Sequence, residues 1–174
     1  MDIQELQDKG KFLLETSKFR EAIKIFNTIL GIVPRSYETW NHLGYAHHCI
    51  GNYKNAILSY KQAIEINRKY IEAWNNLGLS YKSLGRYEKA LESFNIAIDL
   101  QPKNVLAWAR LGITFYQMGQ INQAIEALRE AMSIDPEDIV VSTFLVSIYR
   151  EFPKFEQTIE KIFSDFKNHK TSVE

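Results

Sequence analysis

Three short stretches decide the reading of this chain: WNHLGYAHH at 40–48, WNNLGLSYK at 74–82 and WARLGITFY at 108–116. Trp40, Trp74 and Trp108 recur with a period of 34, and the same frame surrounds each. A glycine follows (Gly51, Gly85, Gly119), then an alanine (Ala56, Ala90, Ala124). A bulky residue comes next (Tyr60, Phe94, Leu128), then a second alanine (Ala63, Ala97, Ala131). Each unit ends in a short polar link that holds Pro102, Pro136 or, in one case, Arg68. Trp74, Leu77, Gly78 and Tyr81 fall at i, i+3, i+4 and i+7, the apolar stripe of one helix. Tyr87, Ala90, Leu91, Phe94, Ala97 and Ile98 form the stripe of a second helix, with Gly85 suited to a left-handed turn between them. The small residues Gly78 and Ala90 predict close backbone approach, with Trp74 and Phe94 filling the flanks. Pro102 lacks a backbone N–H and stops the second helix. A single pair of this kind cannot bury both of its apolar faces, so the units must stack.

The frame extends outward in weaker form. Residues 3–36 keep Gly10, Phe19, Ala22, Phe26 and Pro34 but carry Leu6 in the tryptophan column and Lys9 in the leucine column. Residues 139–172 keep Leu145 and Tyr149 and lose the tryptophan, the glycine and both alanines. The pattern resembles the tetratricopeptide repeat, W-x2-L-G-x2-Y, then A-x3-F, then A, then P, which has the same period. The resemblance implies an all-α fold, an α-solenoid of stacked antiparallel helix pairs wound as a right-handed superhelix. It divides a single domain, 1–174, into repeats at 3–36, 37–70, 71–104 and 105–138, with a degenerate fifth repeat and capping helix at 139–172.

Charge and composition narrow the function classes. Lysine plus arginine and aspartate plus glutamate both total 21, which removes the general electrostatic case for nucleic acid or an anionic membrane. Cys49 is the sole cysteine, so neither a disulfide framework nor a four-cysteine zinc site is expected. The opening residues MDIQELQDKG show no basic stretch followed by an apolar run, and the largely apolar stretch 139–149 is too short to cross a bilayer. No membrane insertion and a cytoplasmic location are the expectation. There is no P-loop, no Gly-x-Ser-x-Gly and no dinucleotide fingerprint, so neither an enzyme nor a cofactor is expected.

Function should lie where packing leaves the first helices free. Trp40, Leu43, Gly44, His47 and Ile50 make the packing stripe of the second unit, and Glu38 lies about 200° around the helix from Trp40. Glu38, Asn41, His42, Tyr45 and Cys49 therefore form a separate face. Its counterparts are Glu72, Asn75, Asn76, Leu79 and Ser83, then Leu106, Ala109, Arg110, Ile113 and Gln117. In proteins with this repeat, the resemblance implies, that face lines a groove that binds an extended or helical peptide. Asparagine amides there suit a peptide backbone, and Arg110 suits a carboxylate or phosphate. The reading is a protein-interaction adaptor; the alternative is a homo-oligomer that self-associates through the groove or the C-terminal helix.

Sharper readings fit less well. The carboxylate clamp of chaperone-binding relatives would fall on Asn41, Tyr45, Asn76, Leu106 and Arg110. Only Asn76 and Arg110 match, and without both lysines a doubly charged tail loses most of its charge-assisted bonds. An asparagine ladder of the glycosyltransferase kind is faintly suggested by Asn41, Asn75 and Asn76, too few to make one. His42, His47, His48 and Cys49 crowd one helix, but His42 and His47 are five positions apart and not four, so no metal site is expected. His47 replaces the tyrosine of its column and reads as a packed, hydrogen-bonded core group. Past Pro153, Phe155, Ile159, Ile162, Phe163 and Phe166 recur at helical spacing and predict a final helix packed on Leu145 and Ile148.

Overall fold

The computed structural model describes residues 2–171, with side chains described over 2–165. The chain forms two compact units, Met1–Leu100 and Gln101–Glu174. The first holds α1 (Ile3–Glu15), α2 (Phe19–Ile32), α3 (Tyr37–Cys49), α4 (Tyr53–Ile66), α5 (Ile71–Ser83) and α6 (Tyr87–Leu100). The second holds α7 (Val105–Gln117), α8 (Ile121–Ile134), α9 (Ile139–Glu151), a 3-10 turn at Pro153–Phe155 and α10 (Glu156–Thr171). No strand occurs among the described residues. The odd-numbered helices from α1 to α9 begin at one constant interval, the same as that between the tryptophans.

One contact closes each helix pair. A methyl group placed on Gly78 would lie 2.5 Å from Cε1 of Phe94, which no real side chain tolerates. Gly10 stands in the same way over Phe26 at 2.5 Å, Gly44 over Tyr60 at 2.6 Å and Gly112 over Leu128 at 2.8 Å. The bulky residue of the second helix thus lies directly on the glycine of the first, and not on the flank as the stripe predicted. All four bulky residues are buried. The fifth pair has Val146 in the glycine column and Ile162 opposite. A β-branched side chain there prevents the same approach, and a cavity of about 280 Å³ opens between α9 and α10, lined by Val146, Tyr149, Ile159 and Phe163 among others.

The tryptophans do something other than fill a core. Each is half-buried, and each indole N–H donates to a carbonyl in the preceding link. Trp40 reaches Pro34 at 2.9 Å, Trp74 reaches Arg68 at 2.9 Å and Trp108 reaches Pro102 at 3.0 Å. In these three units the indole fastens the link to the helix that follows it. Gly85 adopts φ +68°, and the N–H groups of Gly85 and Arg86 return to Lys82 and Tyr81. This is the paired closure that ends a helix in a left-handed residue. Ser17 takes the glycine's place in the first unit at φ 57°.

Packing uses a second stripe of the first helices that the repeat frame passed over. Thr39, Ala73, Ala107 and Val141 are buried, as are Ala46, Ser80, Thr114 and Ile148. Ala46 joins the cluster of Leu6, Phe26, Ile29 and Leu30, so within the first unit this stripe faces the preceding pair. His47 is half-buried, but its Nδ1 is enclosed without a hydrogen-bond partner, and burial lowers its pKa. The histidine with the predicted kind of bond is its neighbour: His48 Nδ1 meets Ser80 Oγ at 2.9 Å. In the second unit, Ile159 and Ile162 of α10 are buried with Leu145 and Ile148, while Phe155 and Phe163 are partly buried against them. Phe166 lies outside the residues whose side chains are described.

Gly78→Ala should destabilise the fold by about 1–3 kcal/mol, since crowding against Phe94 outweighs the helix propensity gained. Gly31 has nothing within 4 Å of the position a methyl would take, so Gly31→Ala should instead stabilise by about 0.5–1 kcal/mol. Urea denaturation followed by circular dichroism reads both signs.

Candidate peptide-binding face

The residues singled out on the first helices separate into two sets once burial is known. Asn41 is 1 % exposed and Asn75 is 4 % exposed, so both belong to helix packing. Asn41 is the centre of a network joining α3 to α5. Asn76 Nδ2 donates to Asn41 Oδ1 at 3.2 Å, and Asn41 Nδ2 donates to the Tyr70 hydroxyl at 3.4 Å. That hydroxyl donates in turn to Glu72 at 2.8 Å. Tyr70 occupies the helix-cap column held elsewhere by Ser36, Asn104 and Asp138, whose side chains accept from their own helices. Its side chain makes no such cap. The ring instead meets Tyr37 edge-on at 4.9 Å, and burial together with the Glu72 bond raises its pKa.

The remaining first-unit positions stay open to solvent. Glu38 and Glu72 are exposed or nearly so, and Tyr45 is 43 % exposed with its edge on Phe19. A hydrogen bond with Cys49 raises the Tyr45 pKa. His42 lies nearly flat on Phe26, ring centres 5.5 Å apart. Burial lowers its pKa; Glu72 opposes this, Lys11 reinforces it, and Glu38 opposes it more weakly. Leu79 is half-buried, and Asn76 is half-buried within the network above.

Between α1 and α3 these side chains enclose a polar cleft of about 360 Å³, lined by Gln4, Gln7, Lys11, Glu38, Thr39 and His42. The α1 contributors were not among the expected site residues. They were nonetheless legible, because Gln4, Gln7 and Lys11 stand exactly one repeat before Glu38, Asn41 and Tyr45. Lys11, Gln7 and Glu38 make no hydrogen bond or ion pair among the described residues.

In the second unit the corresponding face changes character. Leu106 is 52 % exposed on α7 and Val140, its counterpart on α9, is 55 % exposed. Arg110 and Ile113 are half-buried, Gln117 is exposed and Ala109 is buried. Tyr116 meets Phe144 edge-on at 5.9 Å and donates its hydroxyl to Glu151, a bond that raises the Tyr116 pKa. Among the described residues no group of three or more His, Cys, Asp or Glu side chains is placed to hold a metal ion, and no helix is long and apolar enough to cross a membrane.

Glycine-closed helix pairs repeating at a fixed period, with a free face on their first helices, define a tetratricopeptide-repeat protein. Residues 3–145 match the family described as the cilia and flagella-associated protein 70 C-terminal domain, and the chain belongs to that family. No curated protein sequence matches it significantly. Among solved structures, MamA is 26 % identical, with 100 % of this chain and 99 % of that one covered and a TM-score of 0.79. A second MamA structure is 24 % identical, covering 99 % and 95 %, at 0.78. YrrB, described as a TPR protein with an unusual peptide-binding site, is 21 % identical, covering 80 % and 72 %, at 0.71. The fold is an all-α helical-repeat solenoid. Folds of this kind act as protein-interaction scaffolds, because stacking leaves long surfaces free for partners.

Asn41→Ala should cost about 1–3 kcal/mol, the range for leaving buried polar partners unsatisfied. Denaturant melts should show that loss. Glu38→Ala, at an exposed carboxylate without a partner, should change stability by less than about 0.5 kcal/mol.

Proposed function

We propose that the chain is a non-catalytic adaptor that binds a peptide segment of a partner protein on the free face of its first helices. The polar cleft between α1 and α3 carries this reading. It presents a lysine, a carboxylate and a carboxamide that the fold does not use, on rigid helices whose positions are fixed by the glycine contacts. Groups left unpaired beside a cavity are suited to a ligand that supplies the missing bonds. The description of YrrB, a fold relative, as having a peptide-binding site supports the same reading.

A second reading rests on Leu106, Ile139 and Val140, which are 52 %, 78 % and 55 % exposed on α7 and α9. Apolar side chains so exposed favour contact with a second copy of the chain.

One experiment addresses both. A photo-crosslinking residue replacing Lys11, on α1, should capture a partner protein from the source cell extract. The same residue replacing the exposed Lys61, on α4, should capture none. Capture from Lys61 and none from Lys11 would contradict the proposed face. A product with twice the mass of the chain, formed from a crosslinker at Leu106, would favour self-association.

A further inference from the structure

The two charges in the first-unit cleft point to the chemistry of its ligand, an inference that rests on the peptide-binding reading above. Lys11 projects from α1 and Glu38 from α3, both exposed, and neither is neutralised by a neighbour among the described residues. Glu38 occupies the column of Gln4, and Lys11 follows Gln4 by seven positions along α1. Two turns of helix rise about 10 Å along the axis, and the roughly 8–10 Å between packed helices adds to it, so the two charges stand roughly three to four residues of extended chain apart. Between the two charges the cleft offers the Gln7 carboxamide, a donor and an acceptor for a ligand backbone. The His42 ring, backed by Phe26, forms part of its wall.

We infer that this cleft selects an extended segment carrying a carboxylate and a cation about three to four residues apart, the carboxylate paired with Lys11 and the cation with Glu38. Segments of one sign are disfavoured. An acidic tail that satisfies Lys11 places a like charge at Glu38, and a basic one places a like charge at Lys11, so rejection is built into the site. For any one segment the arrangement sets the direction in which it binds, because reversing that segment puts each charge against its like.

The inference is tested by panning a random-peptide display library against the full chain, its Lys11→Glu and Glu38→Lys variants, and the double variant. Circular dichroism of each variant first establishes that the helices are intact. Wild type should enrich peptides with opposite charges at that spacing. Lys11→Glu should lose the acidic preference and Glu38→Lys the basic one, each by about 2- to 5-fold, the range of a solvated ion pair. The double variant, which exchanges the two charges, should regain the enrichment of opposite charges at that spacing that each single variant loses. Enriched peptides without paired charges, or preferences unchanged in the variants, would overturn the inference while leaving peptide binding intact. No enrichment against wild type would overturn the peptide-binding reading, and the inference with it.

Discussion

Everything in this chain depends on the meeting of a glycine with a ring or branched side chain inside each helix pair. At Gly10, Gly44, Gly78 and Gly112 the partner side chain occupies the space where a Cβ would stand. That contact fixes the distance between the two helices and the rotation of each about its axis. Buried alanines on the second helices (Ala56, Ala90, Ala124) extend the close approach, and the indole bonds of Trp40, Trp74 and Trp108 tie each link to the helix that follows. The fifth pair shows the consequence of losing the glycine: Val146 stands in its column, and a cavity opens beside it.

The first helix of a repeat is used on two sides. One stripe faces its own second helix and another, at Thr39 and Ala46 or Ala73 and Ser80, packs toward the preceding pair. What remains is narrow. In the first unit it holds Gln4, Gln7, Lys11, Glu38 and His42 around a polar cleft, and in the second unit exposed Leu106 and Val140. Unpaired polar groups in the first unit and exposed apolar groups in the second, held on helices fixed by packing, are suited to recognition.

Much of this was legible because the repeat writes the same physical constraint several times. The constant interval between tryptophans set the helix starts, and glycine after each first helix marked the left-handed closure seen at Gly85. The role of the tryptophans was not legible, since a large aromatic on an apolar stripe reads as core and the bond to Arg68 or Pro102 is invisible in the stripe. Asn41 and Asn75 misled for a related reason. Angle around one helix puts them on the free face, but only the neighbouring pair shows that Asn41 is enclosed by Asn76 and Tyr70. Lys11 and Gln7 could have been found by carrying the same columns back one period into the first repeat, where the weak tryptophan column drew attention away.

The central claim is that the first helices, and not the second, meet the partner. Amide chemical-shift changes on adding a peptide selected by the full chain test it most directly. Changes should concentrate at Lys11, Glu38 and His42 and their neighbours on α1 and α3, with the solvent sides of α2 and α4 unaffected. Changes concentrated on α2 and α4, with α1 and α3 silent, would contradict it.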